Sequence, residues 1–168
     1  MAGKGRFCPA ANETSAPRMS NFVFRRQFPI EWGHCDPAGI VFNSRFFEFF
    51  DWNTWLLFEA ALGVRPADLS KEYGIMGIPL VDAKGRFHRP AKFNDVVEIS
   101  SQVSKFGRSS FEVQHRISAG GELVADGSET RVWATHDPKE PTKLRTVPIP
   151  AAVIERFKNT DDQQQACT

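Results

Sequence analysis

The segment Trp32-Gly33-His34-Cys35-Asp36-Pro37-Ala38-Gly39-Ile40-Val41-Phe42-Asn43 places an acid in a Pro/Gly turn directly ahead of a long aromatic-rich stretch. A carboxylate held beside a helix N-terminus has what hydrolysis needs. The acid attacks or activates water, while unpaired helical N–H groups and the helix dipole stabilise a developing oxyanion. Asp36 is therefore the candidate catalytic acid. The local pattern taken alone equally describes a turn Asp that caps a helix, so the wider chain has to decide. His34, two residues earlier, would share a face with Asp36 in a strand-like segment and add positive charge beside it. Cys35 would point the other way, and nothing in the sequence supplies the base that a cysteine nucleophile needs.

The elements that would position these residues follow from hydrophobic spacing. Residues 22–32 alternate imperfectly (Phe22, Phe24, Phe28, Ile30, Trp32) and read as a first strand. From Asn43 or Ser44 to Leu62 there is neither Gly nor Pro, and Gly63 supplies a stop. That predicts a helix of about five turns. Its apolar residues (Phe46, Phe47, Phe49, Phe50, Trp52, Trp55 and the Leu56–Phe58 run among them) cover most of the circumference, so burial is expected. Its polar exceptions include Ser44, Glu48, Asp51 and Thr54, which form one narrow stripe. A short helix is expected at 67–73, ended by Gly74, then strands at 78–89, 95–106, 109–119 and 122–136 and a helical turn at 150–157. One buried helix needs a sheet that curls around it, which gives an α+β fold: an antiparallel sheet wrapped on a long central helix.

The 168 residues suffice for one such domain, expected at 21–158 between loose tails at 1–20 and 159–168. A net charge of +1 gives no bulk argument for nucleic acid or an acidic membrane surface. No apolar run approaches the ~20 residues of a membrane-spanning helix. Cys8, Cys35 and Cys167 show no metal-ligand spacing, and so sparse a set fits a reducing cytoplasm. No metal or cofactor is expected. Fifteen Phe and four Trp need burial in a core, a pocket or a subunit interface.

The 32–43 segment resembles the signature of the 4-hydroxybenzoyl-CoA thioesterase family, within the hotdog-fold acyl-CoA thioesterases. The likeness continues through Arg45-Phe46-Phe47-Glu48-Phe49-Phe50-Asp51. It resumes at Gly74-Ile75-Met76-Gly77-Ile78-Pro79 and around Arg108-Ser109-Ser110-Phe111, covering residues 22–157. The resemblance implies a hotdog domain, pairing into dimers and dimers of dimers with active sites at the dimer interface, and a small-molecule acyl-CoA substrate. Asp36 falls on the family's catalytic aspartate. Asn43 stands where the family presents a tyrosine whose backbone N–H polarises the thioester carbonyl, and its side chain also suits an N-cap. His34 stands where the family archetype has an acid. Asp51 matches a helical acid near the far end of the acyl group, and pairing with Glu48 in a solvated stripe is its structural alternative. Gly77-Ile78-Pro79 matches a segment that approaches the thioester, with Ile78 replacing a threonine. Arg108 matches one residue of a basic cluster on the nucleotide, with Lys105, Arg86, Arg89 or Lys92 as helpers. The reading is a cytoplasmic acyl-CoA thioesterase for an aromatic, hydroxybenzoyl-type substrate. Short or medium fatty acyl-CoAs are the alternative substrates, and a non-catalytic acyl-CoA-binding module is the rival from another class. A dehydratase using Glu48 is a minor alternative.

Overall fold

The computed structural model describes residues 22–158, so the tails expected at 1–20 and 159–168 lie outside the described residues. The elements are β1 (Val23–Pro29), a 3-10 turn (Trp32–His34), α1 (Asn43–Leu62), a second 3-10 turn (Pro66–Asp68), α2 (Leu69–Tyr73), β2 (Leu80–Phe87), β3 (Val96–Phe106), β4 (Ser110–Ala119), β5 (Glu122–Val132), β6 (Ala134–His136), β7 (Leu144–Thr146) and α3 (Ala151–Arg156). The first five strands form one antiparallel sheet in the order β1-β3-β4-β5-β2, and β6 pairs with β7 separately. This is the expected α+β arrangement, with α1 packed against β1, β2, β3 and β5.

α1 ends where Gly63 adopts φ 68° and donates its N–H to the Glu59 carbonyl, a left-handed cap that a side chain resists. Its sheet-facing residues are Phe46, Phe49, Phe50, Asn53, Thr54, Leu57, Phe58, Ala61 and Leu62, spaced by threes and fours. The outer face stays open: Trp52 is 60% exposed, so burial all round is not met in the single chain. The expected polar stripe also breaks. Ser44 and Glu48 are exposed and Asp51 is partly so, but Thr54 is fully buried, because its hydroxyl donates to Glu129 Oε2 on β5 at 2.7 Å.

The helix lies close to the sheet at one place. Phe50 stacks on His115 with centroids 4.7 Å apart and 13° between planes, and its ring rests on Gly127. A Cβ at Gly127 would sit 2.6 Å from the Lys84 carbonyl oxygen as well as against Phe50, so only glycine fits there.

A polar belt divides the core. Towards the helix start, Phe46, Phe49 and Phe50 pack with Ile30, Val97, Ile99, Ile117 and Val124. Towards its end, Leu57, Phe58 and Leu62 pack with Val103, Phe111, Val113 and Trp133. Between the halves, Asn53 and Thr54 of α1 face Ser101, His115, Glu129 and Arg131 of the sheet, all 2% exposed or less.

Two expected strand bounds are corrected as well. The first strand stops at Pro29 instead of reaching Trp32, because Trp32–His34 wind into a 3-10 turn whose N-cap Glu31 exchanges hydrogen bonds with His34. The expected 122–136 strand breaks at Trp133, a buried residue whose N–H goes to the Ser109 carbonyl and whose carbonyl accepts the Val147 N–H. The chain beyond it leaves the main sheet and pairs with β7, a strand that exposed Leu144-Arg145-Thr146 does not announce.

Candidate active site

Asp36-Pro37-Ala38-Gly39 is built as its residue types require. The Asp36 carbonyl accepts the Gly39 N–H at 2.9 Å, Asp36 Oδ1 accepts the Ala38 N–H at 2.8 Å, and Gly39 takes φ 76°. Asp at the first position, Pro at the second and Gly at the fourth are the type I turn preferences. The Asp36 N–H donates to Ile40, Cys35 bridges Val41, and the Phe42 N–H donates to the His34 carbonyl. Asp36 therefore sits at the tip of a small hairpin whose return arm runs straight into α1. It caps the turn, not the helix, and remains partly exposed.

Asn43 is the first residue of α1, and Phe42 holds the N-cap position without a side-chain hydrogen bond. The N-cap role expected for the Asn43 side chain is thus corrected: the chain turns helical one residue earlier than such a cap requires. No acid stands in the first turn either. The Arg45 N–H already goes to the Phe42 carbonyl, which leaves the Asn43 and Ser44 N–H groups and the positive end of the helix dipole for an oxygen supplied from outside.

Beside the helix start is a cavity of about 410 Å³ lined by Ile40, Val41, Asn43, Phe46, Phe87, His88, Arg89 and Pro90. Phe46 and Phe87 meet with centroids 5.2 Å apart, so its walls include flat aromatic faces. His88 Nε2 lies 2.8 Å from Asp126 Oδ2, and Arg89 pairs with Glu122.

His34 lies in the 3-10 turn, which removes the strand geometry that would have aligned it with Asp36. Its Nδ1 accepts the Glu31 N–H at 3.0 Å, and its ring meets Phe49 edge-on. The Cys35 thiol donates to the Glu31 carbonyl at 3.7 Å. Among the described residues, no three His, Cys, Asp or Glu side chains are grouped so as to hold a metal ion.

The remaining candidates lie further along. Asp51 does not share a stripe with Glu48, which pairs with Arg45. It pairs instead with Arg131, whose Nη1 also donates to the Ile78 carbonyl at 3.2 Å. Asp51 and Ile78 are thereby joined, about 12 Å along the helix axis from Asn43 at 1.5 Å per residue. The Ile78 side chain is fully buried. The Gly77 backbone pairs with Ala134, and the Trp55 ring lies where a Cβ would meet it at 3.4 Å. Arg108 is exposed in the β3–β4 turn, its carbonyl accepting the Ile149 N–H.

Sequence reasoning missed the belt. Arg26 Nε donates to Asn53 Oδ1 at 3.0 Å, Asn53 Nδ2 to Ser101 Oγ at 2.5 Å, and Ser101 Oγ lies 2.7 Å from His115 Nδ1. His115 Nε2 reaches Glu129 Oε2 only at 3.4 Å, too far for a good hydrogen bond. Burial pushes the His115 pKa down, against the pull of Glu129. Burial opposes the Glu129 charge too, but the facing His115 ring, the hydrogen bonds from Arg131 and Thr54 and the Arg131 charge outweigh it and hold the carboxyl at about 2. The legible signal was strand parity. Val97, Ile99 and Val103 set the inward face of β3, and Val113 and Ile117 that of β4, which puts polar Ser101 and His115 inside.

The comparisons agree with this architecture. The model of the thioesterase-like superfamily matches residues 30–157. A 4-hydroxybenzoyl-CoA thioesterase from Pseudomonas sp. (strain CBS-3) is 34% identical over 132 residues, covering 75% of this chain and 91% of that protein. A 1,4-dihydroxy-2-naphthoyl-CoA hydrolase from Synechococcus elongatus is 29% identical over 107 residues, covering 64% of this chain and 76% of its own. Among solved structures, a 4-hydroxybenzoyl CoA thioesterase mutant complexed with 4-hydroxybenzoyl CoA superposes with a TM-score of 0.74 at 30% identity, covering 81% of this chain and 99% of that one. A helix-wrapping antiparallel sheet, a matched family model over most of the chain and relatives that cleave thioesters lead to one conclusion: the chain belongs to the thioesterase-like superfamily and is a hotdog-fold thioester hydrolase.

Proposed function

We propose that this chain hydrolyses the thioester of an aromatic acyl-CoA, of hydroxybenzoyl type, to the free acid and CoA. The observation that carries the reading is the Asp36 turn running into a helix start with no capping side chain and no acid, beside an aromatic-walled cavity. The named substrates of the two curated relatives are both hydroxylated aryl-CoAs. The Asn43 backbone N–H donates a hydrogen bond to the thioester oxygen and stabilises the charge that builds there. Asp36 works in one of two ways. As nucleophile, its carboxylate bonds to the carbonyl carbon as the C–S bond breaks and CoA leaves as thiolate; water then opens the mixed anhydride. As general base, it takes a proton from the water that attacks directly. His34 shapes the turn behind Asp36, Asp51, Gly77 and Ile78 belong to the acyl side, and Arg108 meets the nucleotide phosphates. The working form is a homodimer that assembles to a homotetramer in the cytoplasm.

The test is thiol release from a panel of acyl-CoAs, hydroxybenzoyl through medium-chain, by wild type and Asp36→Asn. Turnover concentrated on the aromatic substrates, with a loss of about 10²-fold or more in the variant, is the expected result. Preference for fatty acyl-CoAs would replace the substrate assignment. Binding without thiol release in either protein would make the chain a non-catalytic acyl-CoA-binding module.

A further inference from the structure

Strand pairing lines up one row of side chains across the whole sheet. Arg25 of β1 pairs with Ser100 of β3, Ser100 with Arg116 of β4, Arg116 with Asp126 of β5, and Asp126 with Arg86 of β2. Their chain neighbours His115 and Gly127 meet Phe50 of α1, so the row stands on the face turned away from the helix. Arg25, Arg86 and Arg116 are exposed, and none of the three guanidinium groups has a hydrogen-bond or ion-pair partner among the described residues. The acid within the row is turned elsewhere: Asp126 Oδ2 lies 2.8 Å from His88 Nε2. Other acids on this face are also engaged. Asp82 pairs with Lys84 and Glu112 with Lys105, while Glu98 Oε2 accepts from Gln27 Nε2 at 3.2 Å. Unpaired arginines therefore recur at every second strand, about 10 Å apart at the ~4.8 Å strand spacing.

That interval fits a helix laid across the strands, whose carboxylates can recur after two turns, about 11 Å. A second copy offers the row only its own arginines and acids that are already engaged. A nucleic-acid strand carries a charge every ~3.4 Å and would press phosphates against Glu98, Asp82 and Glu112. The row also ends beside the proposed site. Arg86 is followed by Phe87, His88 and Arg89, which line the cavity next to Asn43. β2 stops at Phe87, so an arm passing the end of that strand leads from the sheet face to the cavity. We propose that this face docks an acidic carrier protein through one of its helices, the acyl thioester arriving on the carrier's phosphopantetheine arm as well as on CoA. The proposal rests on the thioesterase reading given above. The reaction is the same on either carrier: water and the thioester give the free acid and the carrier's thiol.

The experiment measures kcat/KM for thiol release from 4-hydroxybenzoyl-CoA and from a bacterial acyl carrier protein charged with 4-hydroxybenzoate. Wild type is compared with Arg25→Glu, Arg116→Glu and the double variant. Wild type is expected to cleave both substrates. Each reversal should lower kcat/KM on the carrier-bound substrate about tenfold, through KM, and leave the CoA substrate within about twofold of wild type. High salt should weaken the wild-type carrier reaction in the same selective way. Should a reversal lack a cooperative thermal transition, Arg25→Gln and Arg116→Gln carry the same comparison with a smaller effect. Equal losses on both substrates, or no loss on the carrier, overturn the proposal. A change of oligomeric state in the variants would assign the row to a second copy and overturn it too. So would binding of a single-stranded oligonucleotide by wild type but not by the double variant. Wild type that cleaves only the CoA substrate sinks the docking proposal and leaves the thioesterase reading standing. Wild type that releases thiol from neither sinks both.

Discussion

Glu129 and His115 are two ionisable residues shut inside the core; burial disfavours the charge of both, and only Glu129 has partners that outweigh it. The Glu129 carboxyl is held at about 2 against an ordinary 4.5, and the His115 pKa lies below its ordinary 6.5. Each group binds fewer protons folded than unfolded, so each stabilises the fold above its unfolded pKa and loses that contribution as pH falls. The loss begins near pH 6.5 for His115 and runs from 4.5 to about 2 for Glu129. The Glu129 interval corresponds to about 3 kcal/mol, at roughly 1.4 kcal/mol per pH unit. Melting temperature followed from neutral pH down to about pH 3 should therefore fall throughout. Glu129→Gln should start lower and run flatter through the acid half. A wild-type melting temperature unchanged from neutrality to pH 4 would contradict the network. Asp36 was legible from sequence because its turn is local: four consecutive residues carry the whole signature. Arg131 was not, because Glu129-Thr130-Arg131 reads like any solvated strand until the sheet order shows which face the helix covers.

α1 was the most legible element, since Asn43–Leu62 coincides with the stretch free of Gly and Pro. Its start carries the proposed site, and there the reading needed structure. Whether Asn43 caps the helix or opens it depends on one residue of chain geometry that hydrophobic spacing does not resolve. The observed geometry offers a specific test of the backbone donor. The first helical position tolerates proline, because its N–H has no partner within the helix. Phe42, at φ −63° and ψ 132°, already has the extended conformation that a residue before proline adopts. Asn43→Pro should thus keep the fold, with a melting temperature within a few degrees of wild type, yet delete the amide hydrogen that the proposed mechanism uses on the thioester oxygen. A fall in kcat of about 10²–10³-fold is expected, the scale of one lost oxyanion donor. Wild-type turnover in a folded Asn43→Pro protein would move the oxyanion donor elsewhere.

Among the described residues the sheet ends on two edge strands, β1 and β2, and they differ in character. β1 exposes Arg25 and Gln27, whereas β2 exposes Leu80, Val81 and Phe87 alongside Asp82, Lys84 and Arg86. In sequence, 78–89 reads simply as a strand; only the strand order shows that, among the described residues, it lies at the sheet's edge. A long edge with apolar side chains is a pairing template, and the aromatic content that the core does not absorb lies partly here and at Trp52. Phe87 and His88 at the end of β2 also line the cavity beside Asn43. A second copy joining along β2 would cover the apolar side chains of that edge and wall the cavity beside Asn43 in one step, which would tie assembly to the proposed turnover. Val81→Lys puts a charge on that edge, a common natural block to strand pairing. Sedimentation velocity should show wild type as a dimer or larger at micromolar concentration. The variant should shift toward monomer, with association weakened about tenfold or more, the equivalent of roughly 1.4 kcal/mol. Thiol release per chain should fall with the dimer fraction and recover as protein concentration rises. A monomeric wild type with full activity would show that the cavity is complete within one chain and that the apolar face of β2 serves something other than a second copy.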